Sequence, residues 1–255
     1  MQSVILAAGK GTRLKARTDN RPKAMLNIGG KSLLEYSLES LVQNGITDVI
    51  IVVGFCHETI TKRFGTRYRG LKIEYVINNN YAGSGSMYSF SLVKDIIDDE
   101  ILLMESDLLY ESRAIDILLN GSRPNAILVT KPSGSGDEVY ICTNDNMEIT
   151  ELGKNIPESS KKRAVGELAG ISKFQRQFLE LVFRKALEDF KKGEFNHHYE
   201  ECVFRTSKCT TPVYAELAKD LAWIEIDSEE DLQKARELIY PLVKEKSNQR
   251  QSLCF

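Results

Sequence analysis

The stretch from Ser3 to Lys23 limits what this chain can fold into more than any other. Ser3-Val-Ile-Leu-Ala-Ala8 is apolar and β-branched, the pattern of a buried parallel strand. Gly9 and Gly11 follow, where the backbone can turn sharply and expose its amides. Arg13 and Lys23 put two cations beside that turn. Open amides with an Arg and a Lys make a cradle for a polyanion, above all a nucleotide triphosphate. The plain alternative is a strand-to-helix turn with surface cations; the context Arg21-Pro22-Lys23 argues against it. A dinucleotide fingerprint needs a third glycine where this chain reads Gly9-Lys10-Gly11-Thr12-Arg13-Leu14. A P-loop needs Gly-Lys-Ser/Thr closing a longer loop, which is missing.

Further strands are expected over Asp48–Gly54 and Leu71–Ile77, with helices between them. The first helix opens on the capping box Ser32-Leu-Leu-Glu35 and runs toward Gly45; the second covers His57 to Arg69. This alternation predicts an α/β fold with a mostly parallel sheet, helices on both faces and the ligand at the carboxyl ends of the strands. Asn78 to Met87 is too polar and glycine-rich for core, and Ser86 is a candidate cap for a helix from Ser86 to Ile97.

Glu100-Ile-Leu-Leu-Met-Glu-Ser-Asp107 ends a buried strand in carboxylates, costly unless paired or bound to metal. Asp107 is therefore the first candidate metal ligand, with capping of the next helix as the alternative. Asn125–Thr130 is another strand. Val139–Cys142 and Glu148–Leu152 flank Asn144-Asp-Asn146 as a hairpin inserted at about 132–165. A returning strand (Gly166–Ser172), two helices (Phe174–Lys192 and His197–Thr206) and two strands (Pro212–Leu217 and Ala222–Asp227) follow. Glu225 and Asp227 lie two apart, on one strand face, so both can point at one cation. Asp227 or Ser228 could instead cap the last helix, Ser228 to Val243. Residues 1–243 thus read as one domain and 244–255 as a frayed tail.

With 34 basic and 36 acidic side chains the net charge is −2, which gives no bulk-charge basis for a nucleic-acid partner. No apolar run reaches a membrane span, and the chain begins on its first strand, so a signal peptide is not expected. Five cysteines without metal spacing (Cys56, Cys142, Cys202, Cys209, Cys254) read as free thiols in a reducing cytoplasm. His57, His197 and His198 fall outside the glycine-rich and acidic motifs and read as surface or helix residues.

Leu6-Ala-Ala-Gly-Lys-Gly-Thr-Arg13 with Arg21-Pro-Lys23 resembles the signature of the nucleotidyltransferases that make sugar nucleotides and CDP- or CMP-activated head groups. The resemblance implies a Rossmann-like nucleotidyltransferase fold. It makes Lys23, Arg13 and Asp107 the catalytic candidates and Mg²⁺ the cofactor, held by Asp107, Glu225 and Asp227. Nucleotide contacts are implied for Leu6, Ala7, Ala8, Gly9, Gly11, Thr12, Arg13 and Lys23, for Ser84, Gly85 and Ser86 near base and ribose, and for Glu105 and Ser106. Nearly end to end, the chain is similar to the 2-aminoethylphosphonate and phosphocholine cytidylyltransferases. The segments that carry this are Leu102–Tyr110, Ser135–Tyr140, Lys154-Asn155, Gly166–Ile171 and Trp223–Asp227.

That resemblance implies CTP and a small zwitterionic phosphonate or phosphate as partners. Lys154 is the added cation for the anionic end. Asp137, Glu138, Glu167, Glu200 and Glu201 are candidates for the ammonium, the first two favoured. A primary amine calls for carboxylates. A quaternary one calls for an aromatic cage, for which Tyr81, Tyr88, Tyr110, Tyr140 and Tyr199 are available. Within the enzyme class a phosphocholine, a phosphoethanolamine and a sugar-phosphate enzyme are the rivals; a non-catalytic nucleotide-sensing subunit and a dinucleotide-binding oxidoreductase are the rival classes. The sequence leaves the oligomeric state open, a homodimer included.

Overall fold

The structure is a computed structural model, and it describes residues 1–252. The elements run β1 (Gln2–Ala7), β2 (Asn27–Ile28), β3 (Lys31–Ser32), α1 (Leu33–Gln43), β4 (Asp48–Val53), α2 (His57–Phe64), β5 (Arg67–Tyr68), β6 (Leu71–Ile77) and α3 (Ser86–Ser91). Then come β7 (Ile101–Glu105), β8 (Leu108–Tyr110), α4 (Arg113–Asn120), β9 (Ala126–Thr130), β10 (Tyr140–Thr143), β11 (Ile149–Gly153), α5 (Glu158–Lys161) and β12 (Gly166–Phe174). The chain closes with α6 (Arg176–Lys191), α7 (Tyr199–Ser207), β13 (Tyr214–Leu217), β14 (Trp223–Glu225), α8 (Glu229–Lys234), a π turn (Ala235–Ile239) and α9 (Tyr240–Ser252).

The main sheet is ordered β11-β10-β12-β7-β1-β4-β6-β5, with β9 on β12 and β13 on β9. β7, β1, β4 and β6 are mutually parallel. From β1 the chain builds outward through β4 and β6, then returns to lay β7 on the other side of β1. The strand order reverses there, and a crevice opens beyond the carboxyl ends of β1 and β7.

β1 shows why these strands are buried on both faces. Ile5 and Ala7 pack with α1, α2 and α4 side chains such as Leu38, Ile60 and Ile115. Val4 points the other way, into a cluster with Phe90, Phe178 and Val203 from α3, α6 and α7. Each face is thus covered by helices, as the unbroken apolar runs require. A third cluster, including Leu14, Leu33, Leu109, Ile224, Leu232 and Val243, ties the N-terminal turn to the C-terminal helices.

Several elements depart from the sequence expectations. The second helix stops at Phe64, because Gly65 has φ +59° and turns the chain into the short antiparallel strand β5. α3 ends at Ser91, and tight turns with i→i+3 bonds such as Ile96 N–H to Val93 carry the chain onward. The hairpin β10–β11 extends the main sheet, since β10 pairs antiparallel with β12. The last helix contains a π turn, and α9 runs through the polar stretch after Val243 to Ser252. From it Lys246 pairs with the buried Glu111 at 3.0 Å. Residues 253–255, and with them Cys254, lie outside the described residues. The other four cysteines are free thiols. No described helix is long and apolar enough to cross a membrane.

Candidate active site

A cleft of about 410 Å³ opens at the carboxyl ends of β1 and β7. Its floor begins with the turn after β1. Gly11 has φ +67°, and a Cβ there would come within 3.0 Å of the Lys23 side chain. The turn is tied shut where the Thr18 hydroxyl donates to the Gly11 carbonyl at 2.8 Å. Pro22, with φ −61°, then sets the entry of a single 3₁₀ turn, Lys23–Met25, which carries the Lys23 ammonium into the cleft.

The acids come from two strands that meet antiparallel. β8 follows Asp107 directly and pairs with β14, Leu108 opposite Glu225. The ladder continues as Ile226 N–H donates to the Asp107 carbonyl at 3.0 Å. This register brings Asp107, Glu225 and Asp227 to one place. Neither aspartate is a helix cap: Ser112 precedes α4, and Ser228 caps α8 by accepting from Asp231 N–H. Lys23 Nζ sits 2.7 Å from Asp107 and also bonds Asp227. Arg13 reaches Asp227 at 2.9 Å and Asp137 at 2.8 Å, and Lys154 reaches the other oxygen of Asp137 at 2.7 Å.

The electrostatics follow from this packing. Burial works against the Lys23 charge, but Asp107, Asp227 and Glu225 outweigh it and hold its pKa above the ordinary lysine value. Burial would raise Asp227, yet Lys23 and Arg13 hold it below the usual carboxylate range. Glu105 is pushed up to about 8 by burial and by the charges of Asp107 and Glu200. Glu225 rises well above its usual value by burial and by Glu105, Asp107 and Asp227.

Glu105, Asp107 and Glu225 each offer an oxygen, all within 4.8 Å of one another. Asp107 Oδ1 is buried with no hydrogen-bond partner. An all-oxygen donor set with an orphaned carboxylate oxygen fits a hard divalent cation. The third member of this set is Glu105, expected as a nucleotide contact; Asp227 adjoins the set, bonded to the same Lys23 ammonium as Asp107. The missing signal was in the sequence: Glu105 and Asp107 are spaced two apart, as Glu225 and Asp227 are.

Leu6, Ala8, Gly9, Gly11, Arg13, Lys23, Ser84, Gly85, Ser86, Glu105, Ser106, Asp107, Asp137, Glu138, Lys154, Glu167, Glu225 and Asp227 all line the cleft. Ala7 and Thr12 do not: Ala7 points into the core, and Thr12 is exposed at the start of a 3₁₀ turn. Ser86 is no cap either. Its hydroxyl accepts from Tyr199 N–H at 2.9 Å, while Gly85 precedes the helix. Asp137, expected near the ammonium, is paired in this structure with Arg13 and Lys154. Glu167 is held by Ser133 N–H at 3.0 Å and pushed up to about 7 by burial. Of the five cage tyrosines only Tyr81 lines the cleft; Tyr110 and Tyr199 are core, and Tyr88 packs on Phe190 and Phe195. The sequence missed His198, Trp223, Ser133 and Lys234 as lining residues. His198 is exposed, as expected, and still borders the cleft because the α6–α7 connection folds back over Gly85, which no local pattern encodes.

A parallel sheet reversing at β1, with a glycine turn, two inward cations and strand-end acids, defines a phosphate-handling α/β enzyme. The family model described as Nucleotidyl transferase matches residues 2–130, and the chain belongs to that family. The CMP-5'-(3-aminopropyl)phosphonate synthase of Streptomyces rubellomurinus is 25% identical over 239 residues, 92% of this chain but 38% of that protein. The choline-phosphate cytidylyltransferase of Streptococcus pneumoniae is 27% identical over 242 residues, 94% of this chain and 98% of that one. Among solved structures, the inositol-1-phosphate CTP transferase from T. maritima matches with TM-score 0.78 at 20% identity, covering 96% of this chain and 95% of that one, a likeness of fold.

Proposed function

We propose that this nucleotidyltransferase joins the cytidylyl group of CTP to a small zwitterionic phosphonate or phosphate, releasing pyrophosphate, with 2-aminoethylphosphonate as acceptor. The observation that carries the acceptor class is the acidic end of the cleft. Glu200 lines it, outside the metal set, and is buried, its pKa raised by that burial. Buried carboxylates with few cations of their own suit a primary ammonium, which hydrogen-bonds them directly. The names of the Streptomyces and Streptococcus relatives support the same class. A second reading, phosphocholine, draws on the Tyr81 and Trp223 rings that also line the cleft.

In the reaction an acceptor oxygen forms a bond to the α-phosphorus. The bond from that phosphorus to the bridging oxygen breaks, and its electron pair leaves with pyrophosphate. A phosphate monoester has a second pKa of about 6, so a phosphate acceptor is largely dianionic at neutral pH and needs no general base. Lys23 meets the charge that grows at the α-phosphate, and Arg13 takes up charge on the departing group. For this the nucleotide displaces Asp137 and Asp227 from the two cations. Mg²⁺, held by Asp107 and Glu225 with Glu105 or Asp227, would supply further neutralisation of the phosphates.

Pyrophosphate release, measured over a matrix of nucleoside triphosphates and acceptors, tests the proposal. CTP with 2-aminoethylphosphonate is expected to give the highest kcat/KM. Preference for phosphocholine would favour the second reading, and preference for a hexose 1-phosphate would refute both.

A further inference from the structure

A second cluster of ligating side chains lies outside the cleft, at the turn joining α6 to α7. Asp189, Glu194 and His197 each offer one ligand atom, all within 4.8 Å of one another. The turn is tight: Gly193 has φ +84°, and Glu194 N–H donates to the Asp189 carbonyl at 3.1 Å. Asp189 is 3% exposed, an unusual place for a carboxylate.

The surroundings divide each ligand's valences in a way that suits a metal. Arg205 donates to Asp189 Oδ2 at 2.6 Å, while Oδ1 has Lys192 at 4.0 Å. One oxygen is thus held tightly and the other only loosely. His197 Nε2 faces Glu194 at 3.4 Å, and its Nδ1 faces Glu201 at 3.7 Å. A ligating histidine characteristically gives its other ring nitrogen to a carboxylate, and a ligating carboxylate is itself hydrogen-bonded.

We propose that this turn is a second metal site, taking one late first-row divalent ion such as Zn²⁺ on Asp189, Glu194 and His197, with water completing the shell. The imidazole separates it from the all-carboxylate set at Asp107, which suits a harder ion. Its consequence reaches the cleft. The same turn supplies the carbonyls of Phe195 and His197 that accept from Gly85 and Met87 N–H. An ion in the turn would fix those carbonyls, and with them the Ser84–Ser86 wall.

Calorimetric titration of the full chain with Zn²⁺ alone tests this, using Asp107→Ala to remove the competing acids. One equivalent is expected to bind, and adding His197→Ala is expected to weaken it at least tenfold. Co²⁺ should show tetrahedral visible absorption in the first protein and lose it in the second. In the Asp107→Ala background, His197→Ala should keep its fold by circular dichroism and lose the zinc-induced rise in Tm. No zinc uptake by the Asp107→Ala protein, or equal affinity with and without His197, would overturn the proposal.

Discussion

Gly85→Ala puts the link between the cleft wall and the α6–α7 turn to a quantitative test. Gly85 has φ −81°, so alanine meets no backbone strain and the whole effect is steric. An ideal Cβ there stands 2.3 Å from the His197 carbonyl oxygen and 2.7 Å from the Asn196 carbonyl, against 3.4 Å or more in ordinary contact. The turn or α3 must therefore retreat by about 1 Å. That displacement breaks or lengthens two bonds, Gly85 N–H to Phe195 at 2.8 Å and Met87 N–H to His197 at 3.1 Å. At about 1 kcal/mol for each bond, plus about 1–3 kcal/mol for overpacking, the gross cost is roughly 3–5 kcal/mol. The lower entropy of the unfolded alanine chain returns up to about 1 kcal/mol. The net loss, about 2–4 kcal/mol, corresponds to a Tm drop on the order of 10 °C. Urea unfolding followed through Trp223, the one tryptophan in the chain, measures it directly. KM for the nucleotide should rise in the same variant, because Ser84, Ser86 and His198 move together. An unfolding midpoint within about 0.5 kcal/mol of the parent, at unchanged slope, would refute the steric argument.

Lys23→Ala should lower turnover by roughly 10²–10³-fold while leaving a folded protein, by loss of a cation at the reacting phosphate; circular dichroism and pyrophosphate release check the two halves. Asp107→Ala and Asp227→Ala should each abolish Mg²⁺-dependent pyrophosphate release, and an ordinary Mg²⁺ titration curve in both would remove them from the metal assignment. Glu167 stays protonated in the fold up to about pH 7, whereas its unfolded value is 4.5. The folded state binds the extra proton between those values, so this group erodes stability as pH rises from about 4.5 to 7, by at most about 3 kcal/mol. Glu167→Gln should flatten that part of the stability profile in urea titrations at pH 5 and pH 8. Lys246→Met should cost about 1–2 kcal/mol by leaving Glu111 with Arg113 alone, and no change would mean that α9 contributes nothing to that pair.

The strands of the parallel sheet were legible because each is a run of Val, Ile and Leu with no polar partner to satisfy except other backbone. β1, β4 and β7 had to be buried wherever they went. β5 and β8 were not legible. They are too short for a pattern, and Leu108-Leu-Tyr110 looks like a continuation of the strand before it. The chemistry of the cradle could be read from Gly11, Arg13 and Lys23, since turn geometry and charge are local properties. The roles of the acids could not. Whether Asp137 meets an ammonium or two cations depends on where Arg13 and Lys154 end up, and whether Glu225 reaches Asp107 depends on β14 arriving opposite β8. Tyr110 and Tyr199 were misplaced for a related reason: a tyrosine suited to a cage and a tyrosine suited to a core look alike in sequence.

The ladder between β8 and β14 has a bearing on how the enzyme comes into being. Lys23 and Asp227, which share one contact, are 204 positions apart. No early fragment leaving the ribosome can complete that contact, so the cationic cradle stays without half its counter-charges until the last strand emerges. Closing so long a loop is slow. A triphosphate present during synthesis could settle on the waiting Arg13 and Lys23 and act as a template for the final strand, so refolding in its presence should be faster than refolding in buffer alone.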